Sequence, residues 1–379
     1  MMLSYFTRSR PLLNRTIPQW QRCFSQTTTR YSSDPLRILF CGSDDFSCAS
    51  LKAVHEEYAR NKKLIESLDV MVLPPKRMGR GFKTLREVPC KLLAEDLGLK
   101  IHQRETFTKW DVMTEILKLP EGTNLVIAVS FGLFVPLRIL KSAKYGGLNV
   151  HPSLLPDLRG PAPVHHAILK GYEYTGVSLQ TLDDREFDHG TVLSQTSRPG
   201  ISVPPGSTVQ ELTNLLAPIG AQMLVQGLRD GVHVPPRQDK SWKGEELNEE
   251  QLSHAPKVTK ANGHVKWTTW TADEIVRRVR VLGSVWTHAV NKKGETKRLI
   301  FQDAECVSLE DVRADGTEVQ FIEGSELGVF KTLVSDRGNG SCAVRASDNN
   351  VIRVKRIKEE GKAERDAMTV LKGYITNEQ

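Results

Sequence analysis

Short apolar runs alternate with amphipathic stretches along the first half of the chain. Amphipathic segments that begin at Ser43 and that cover Thr84–Leu97 predict helices. Four apolar runs predict buried strands: Leu36–Gly42, Leu68–Leu73, Asn124–Ser130 and Gly147–His151. Because strands that alternate with helices form parallel sheets, the fold class predicted for this region is α/β, with a Rossmann-like, doubly wound and mostly parallel sheet.

The pattern changes further along the chain. Alternating segments at 175–182 and 191–195 predict a pair of strands around a loop, and Thr208–Arg229 predicts a long helix. Residues 233–253 are rich in proline and glutamate and predict a linker. Trp267–Val281 predicts one more helix. Short strands separated by Gly, Asn and Asp then predict a small OB-like β-barrel: Thr287–Val290, Arg298–Phe301, Val329–Leu333, Cys342–Arg345 and Val351–Val354.

The first 33 residues differ in composition from the rest. They contain five arginines, many serines and threonines, and no acidic residue, which is typical of a mitochondrial transit peptide. We therefore predict import into the mitochondrial matrix. The predicted division is a transit peptide at 1–33, a catalytic domain at 34–232, a linker at 233–253 and a C-terminal domain at 254–379.

Charge and cysteine content limit the function classes. The net charge is +7, but without the five N-terminal arginines residues 34–379 carry only +2, so nucleic-acid binding has to rest on local patches. The six cysteines form no CxxC pair, which is typical of reduced, structural thiols. No apolar run reaches the roughly 18 residues that a bilayer span needs, so no membrane association is predicted.

A polar pair at the end of a predicted strand is the main candidate for chemistry. Asn149 and His151 are two residues apart, so they point to the same side of an extended strand. Asp188 follows on a later loop. An amide, an imidazole and a carboxylate can together polarise a carbonyl and move a proton, which is the equipment for acyl transfer between nitrogens.

A dinucleotide-binding role is disfavoured for the predicted parallel sheet. The first strand is followed by Gly42-Ser43-Asp44-Asp45, which lacks the G-x-G-x-x-G fingerprint. The two carboxylates would also repel a phosphate at the start of the helix.

The string Asn149-Val150-His151-Pro152-Ser153-Leu154-Leu155-Pro156, followed by Asp188-His189-Gly190, resembles the active site of folate-dependent formyltransferases. After residue 35 nearly the whole chain is similar to the methionyl-tRNA formyltransferase family, and the Asp188 loop is most similar to its fungal members. The resemblance implies 10-formyltetrahydrofolate as co-substrate, initiator methionyl-tRNA as acceptor and no metal.

The resemblance also implies roles for individual residues. Asn149 and His151 are expected to donate hydrogen bonds to the formyl oxygen, and Asp188 to orient His151 or a water and help remove the proton of the amine. Ser153, Leu154, Leu155 and Pro156 match the folate-contacting loop. The pterin slot is expected to include Ser130, Phe131, Gly132, Leu133 and Asp184.

A basic loop, Lys76 to Lys83, is the candidate for tRNA contact. Lys76, Arg77, Arg80 and Lys83 have no acid among them before Glu87, and Arg80 matches the family's acceptor-stem loop. Arginines 277, 278, 280, 353 and 356 with Lys355 and Lys358 are weaker candidates. The predicted protein is a monomer. The alternatives are a formyltransferase for a small amine, a 10-formyltetrahydrofolate hydrolase and a non-catalytic RNA-binding module.

Overall fold

The computed structural model describes residues 33–78, 84–107, 119–308, 317–323, 328–336 and 339–375. In these ranges the first unit has the strands β1 (Leu36–Gly42), β2 (Ile65–Val72), β3 (Lys76–Met78), β4 (Thr84–Arg86), β5 (Lys100–Gln103), β6 (Leu125–Val129), β7 (Gly147–His151), β8 (Tyr174–Thr175), β9 (Ser178–Thr181), β10 (Val192–Gln195) and β11 (Ile201–Ser202). Its helices are α1 (Asp45–Arg60), α2 (Pro89–Asp96), α3 (Leu137–Ser142), α4 (Pro163–Leu169), α5 (Val209–Asp230) and α6 (Trp242–Glu246).

The second unit is mostly antiparallel. It contains α7 (Ala272–Leu282), β12 (Val285–Val290), β13 (Thr296–Val307), β14 (Thr317–Glu323), β15 (Gly328–Asp336), β16 (Cys342–Arg345), β17 (Val351–Glu359), β18 (Glu364–Asp366) and α8 (Ala367–Leu371). No helix in the described ranges is long and apolar enough to cross a membrane.

The central sheet of the first unit has the order β10-β9-β7-β6-β1-β2-β5. Strands β5, β2, β1, β6 and β7 run parallel, whereas β9 is antiparallel to β7 and β10 to β9. The four strands predicted from apolar runs are confirmed within a few residues. The chain leaves β1 toward β2 and later returns on its other side through β6, so the switch point of the topology lies between β1 and β6.

Two helices of the first unit begin directly after capping residues. Asp44 caps α1 by accepting the amide hydrogen of Ser47, and Thr208 caps α5 in a reciprocal capping box with Glu211. The predicted helix over Thr84–Leu97 is wrong in its first part. Val88 precedes Pro89 and is extended, because the proline ring disfavours helical backbone in the residue before it.

The six strands β12 to β17 close into a barrel. The sheet order is β13-β12-β14-β15-β16-β17, and β13 also pairs with β17. Trp267 fills the interior, with its indole stacked on Phe321 at 4.5 Å between ring centroids. The barrel prediction is confirmed, although α7 begins at Ala272 rather than at Trp267 because Trp267 belongs to the barrel core.

The stretch assigned to a linker lies against the first unit. Lys240 donates its amide hydrogen to the carbonyl of Val192 in β10 at 2.7 Å, and the indole of Trp242 donates to the carbonyl of Thr196 at 2.7 Å. Near its end, the amide of Ser253 donates to Asp157 at 2.8 Å. These bonds hold the segment along β10 and the loop after β7.

Two of the arginines proposed for tRNA contact have structural partners. Arg280 donates to the carbonyl of Ser207 at 3.0 Å, which joins the two units. Arg278 pairs with Glu274 at 2.7 Å and lies 3.9 Å from the ring centroid of Trp270.

On the barrel, acidic side chains neutralise further candidates for RNA contact. Arg353 and Lys355 pair with Glu305, and Arg356 pairs with Glu364 and Asp366. These pairs reduce the positive charge that the barrel strands offer to RNA.

Candidate active site

A cavity of about 430 Å³ lies at the carboxyl ends of β1, β6 and β7. Parallel α/β sheets bind ligands at this edge, next to the switch point of the topology. The walls come from the segments that follow β1 and β6, the end of β7 with the loop that leads into α4, the loop between β9 and β10, and the start of α5. The lining residues include Asp44, Ser130, Asn149, His151, Gly160, Pro163, His165, Phe187, Asp188 and Thr213.

The strand β7 brings Asn149 and His151 to the same wall of this cavity, as the spacing predicted. Leu148 and Val150, on either side of Asn149, are 0% and 1% exposed and belong to the main core. Burial of these two side chains fixes the register of β7, and that register determines the direction of the amide and the imidazole.

Asp188 is the centre of the polar network. Its Oδ1 accepts hydrogen bonds from Nδ2 of Asn149 at 3.1 Å and from Nε2 of Gln180 at 2.9 Å. Its Oδ2 accepts from the backbone amide of Gly160 at 3.0 Å. Nδ1 of His151 lies 3.4 Å from Oδ1. The structure therefore brings the three predicted catalytic side chains together, but most lone pairs of the carboxylate are already engaged.

His151 is held from both sides and is 5% exposed. Its Nε2 lies 3.0 Å from the carbonyl oxygen of Leu158. A carbonyl only accepts hydrogen bonds, so this geometry assigns a proton to Nε2. Nδ1 is then the ring nitrogen that faces Asp188 and the cavity.

The loop around Asp188 has an unusual backbone. Asp188 has φ of +62°, and its carbonyl accepts a hydrogen bond from Nε of Arg159 at 3.0 Å. Gly190 approaches β9 so closely that a Cβ there would lie 1.7 Å from the carbonyl oxygen of Thr181. The Asp-x-Gly pattern thus combines a left-handed residue with a position that has no room for a side chain.

The residues predicted for a pterin slot divide into two groups. Ser130, Phe131, Gly132 and Leu133 all line the cavity that contains Asn149. Asp184 is on the loop outside this lining, and its side chain is 37% exposed.

The predicted folate loop after β7 lies behind the catalytic wall. Ser153 is fully buried, and its hydroxyl donates to the carbonyl of Asp157 at 2.7 Å. Leu154 lines a second cavity, of about 490 Å³, between this loop and α6. Neither these residues nor Leu155 and Pro156 line the cavity of Asn149. The structure therefore does not place this loop with the other predicted folate residues.

The candidate tRNA residues fall at the edge of the described ranges. Lys76 and Arg77 lie in β3, which pairs with β4 as a hairpin, and Arg77 is exposed. Arg80 and Lys83 lie outside the described residues.

The sequence predicted no role at the site for three residues that line the cavity or contact Asp188. Gln180 faces Asn149 across the antiparallel pair β7–β9 and supplies the extra donor to Asp188. Phe187 is 57% exposed and packs edge-on against Phe134, with centroids 5.3 Å apart. Asp44 lines the cavity from the start of α1. Asp44 lies just after the apolar strand β1, and this position is the feature of the sequence that could have indicated a role at the site.

Comparison with known proteins identifies the class. Residues 36–228 match the formyl transferase family, and residues 257–374 match the formyl transferase C-terminal domain. The sugar 3N-formyl transferase WlaRD has a similar fold, with a TM-score of 0.50 and 13% identity over 87% of this chain and 100% of that chain. The fold and the matched domains define a formyl transferase.

Curated relatives narrow the class further. The mitochondrial methionyl-tRNA formyltransferase of Saccharomyces cerevisiae is 30% identical over 82% of this chain and 87% of its own length. The mitochondrial methionyl-tRNA formyltransferase of Bos taurus is 32% identical over 66% of this chain and 58% of its own length. The chain belongs to the methionyl-tRNA formyltransferase family.

Proposed function

We propose that this protein transfers the formyl group of 10-formyltetrahydrofolate to the α-amino group of methionine on initiator tRNA, for the start of mitochondrial translation. The observation that carries the proposal is the cluster of Asn149, His151 and Asp188 in one cavity of a chain from this family. The neutral amine attacks the formyl carbon, and negative charge develops on the formyl oxygen.

Asn149 and His151 stabilise this charge in the proposed mechanism. One N–H of Asn149 is used by Asp188, and the second is available to the formyl oxygen. His151 contributes Nδ1, because Nε2 faces Leu158. In the protonated ring, Nδ1–H is the second donor to the oxygen, and Asp188 stabilises the imidazolium from 3.4 Å. Loss of one such donor typically lowers the rate by about 10²–10³-fold.

The co-substrate and the acceptor enter the same cavity in this proposal. The pterin ring of the folate binds in the slot of Ser130 to Leu133, with Phe187 and Leu182 on its other side. The methionyl end of the tRNA reaches the cavity past the β3–β4 hairpin, where Lys76, Arg77, Arg80 and Lys83 contact phosphates. The barrel unit adds surface for the body of the tRNA.

The remaining parts of the proposal concern the chain as a whole. Residues 1–33 act as a transit peptide, and the protein works in the mitochondrial matrix as a monomer without a metal. Residues 34–232 carry catalysis, 233–253 connect the units, and 254–379 bind tRNA. The names of the mitochondrial relatives support the compartment.

A transfer assay with three acceptors tests the reaction. The protein is incubated with 10-formyltetrahydrofolate and either methionyl initiator tRNA, uncharged tRNA or no acceptor. We expect formyl-methionine only with the charged tRNA. Tetrahydrofolate released equally in all three reactions would contradict the proposal and indicate a hydrolase.

The variant Asn149→Ala tests the assignment of the site. We expect its rate to fall by about 10²–10³-fold, because one donor to the formyl oxygen is lost, while tRNA binding stays within about threefold. Asn214→Ala, on the exposed face of α5, is the control and should keep full activity. Full activity of Asn149→Ala would place the chemistry elsewhere.

A further inference from the structure

Gln180 is a buried amide next to the predicted catalytic side chains. In the antiparallel pair of β7 and β9 it lies directly opposite Asn149. Side chains at opposed positions lie on one face of a sheet, with their Cβ atoms about 4.5–5.5 Å apart. Gln180 is only 1% exposed. The register of the two strands therefore brings two primary amides together beside Asp188.

Both amides donate to the same carboxylate oxygen. Nε2 of Gln180 lies 2.9 Å from Oδ1 of Asp188, and Nδ2 of Asn149 lies 3.1 Å from the same atom. This Oδ1 is also the atom that lies 3.4 Å from Nδ1 of His151. The two donors that hold Oδ1 therefore set the distance between the carboxylate and the imidazole.

Gln180 differs from the other donors to Asp188 in its position relative to the cavity. Asn149 and Gly160 line the cavity, so bound substrates contact them. Among the described residues, Gln180 is not part of this lining, so its bond to Asp188 does not depend on what fills the cavity. Arg159 holds the main-chain carbonyl of Asp188 but not its carboxylate. Gln180 thus holds the carboxylate from the side that substrates do not reach.

The other end of the Gln180 amide indicates a role beyond stability. A reversed amide would place Oε1 against Oδ1 of Asp188, and two acceptors cannot form a hydrogen bond, so the orientation is assigned. In this orientation Oε1 is buried, and no described residue donates to it. A buried acceptor without a donor lowers stability, whereas an apolar side chain of the same shape avoids this cost.

We propose that Gln180 is a positioning residue, which holds Oδ1 of Asp188 against His151 during formyl transfer. This inference rests on the proposed function. Gln180 acts through Asp188 and contacts neither substrate, and the roles of Asn149, His151 and Asp188 stay as described above. Misplacement of a reacting group by about 1 Å can lower a rate by about 10²-fold, so the hold on Oδ1 matters for the chemical step.

The variant Gln180→Met separates positioning from stability. Methionine is unbranched and adaptable in shape, and it removes both the N–H donor and the unpaired acceptor. We expect kcat to fall by about 10–10²-fold, with KM for the folate and for methionyl-tRNA within about threefold of wild type. The midpoint of urea unfolding should equal or exceed that of wild type, because a buried unpaired acceptor is lost.

A second glutamine provides a matched control. Gln226 of α5 donates to Asp230 at the same distance of 2.9 Å, and neither residue lines the cavity. Gln226→Met therefore removes the same kind of bond at another place, and it should keep the kcat of the wild type.

A double-mutant cycle tests whether Gln180 acts through Asp188. In the Asp188→Ala background the oxygen that Gln180 holds is absent, so Gln180→Met should change the single-turnover rate by less than about threefold. The inference would be overturned by a kcat of Gln180→Met within about threefold of wild type, by an equal fall in both backgrounds, or by a fall that accompanies a lower urea midpoint. Absence of transfer by the wild-type protein would instead overturn the proposed function.

Discussion

Glu57 joins α1 to α5 through a buried carboxylate, and its replacement by glutamine should destabilise the first unit. Glu57 is 2% exposed. Arg229 of α5 contacts it with two nitrogens, at 2.5 and 3.1 Å, and Arg60 contacts it at 2.6 Å. The bonds from Arg229, followed by those from Arg60 and Asn61, lower the pKa of Glu57 from 4.5 to about 2.

The lowered pKa of Glu57 gives the loss of unfolding free energy that we expect for Glu57→Gln. Each pKa unit corresponds to about 1.4 kcal/mol, so the shift from 4.5 to about 2 represents about 3 kcal/mol of the free energy of unfolding. The side chains of Arg60 and Arg229 are 67% and 38% exposed. Solvent screening at these two partners reduces the loss that we expect for Glu57→Gln to about 2 kcal/mol at pH 7.

The sign of the pH dependence follows from the lowered pKa. The stabilisation by Glu57 is complete above the unfolded-state pKa of 4.5 and is lost as the pH falls toward 2. Urea unfolding of the wild type and Glu57→Gln should therefore differ most near pH 7, and the difference should shrink to less than about half at pH 3. The control is Glu56→Gln, an exposed neighbour on the same helix. A loss below about 0.5 kcal/mol at pH 7, or a difference that does not change with pH, would refute the reasoning.

Two further predictions concern single positions. Gly190→Ala should lower kcat at least about 10²-fold, because its Cβ would lie 1.7 Å from the carbonyl oxygen of Thr181 and the Asp188 loop must shift; steady-state kinetics measure this, and unchanged kcat would contradict it. His233 is fully buried, and its two ring nitrogens have no hydrogen-bond partner in the described part of the chain. Burial, followed by the charge of Arg237, lowers its pKa from 6.5 to about 4, so the wild type should lose stability as the pH falls from 6.5 toward 4, and His233→Leu should lack this component in urea unfolding. An identical pH slope in both proteins would count against that assignment.

Much of the fold was predictable because local signals agreed with the tertiary structure. The apolar run Gly147–His151 is a strand with the predicted bounds, and the long helix, Val209–Asp230, lies within one residue of its predicted bounds at each end. Helix α2 was predicted to start too early because the prediction followed the amphipathic spacing. In the structure Pro89 keeps the residue before it, Val88, extended, so α2 begins at Pro89. Periodicity alone could not show that Trp267 enters the barrel rather than a helix.

The candidate site was predictable only in part. The two-residue spacing places Asn149 and His151 on one wall, and the Asp188 loop reaches them. The contribution of Gln180 depends on the register of β9 against β7, which no local pattern encodes. For the same reason the sequence could not show which side of the strand the loop from Ser153 to Pro156 would occupy.

The bond from Lys240 to Val192 has a consequence for the outer edge of the central sheet. β10 is the last strand on that side, and an uncovered last strand offers its backbone groups to other chains. The segment after α5 covers this strand and so hinders its pairing with other chains, in addition to connecting the two units. A catalytic fragment that ends at residue 232 would lack this cover, together with the hydrogen bond from the indole of Trp242 to the carbonyl of Thr196 just after β10.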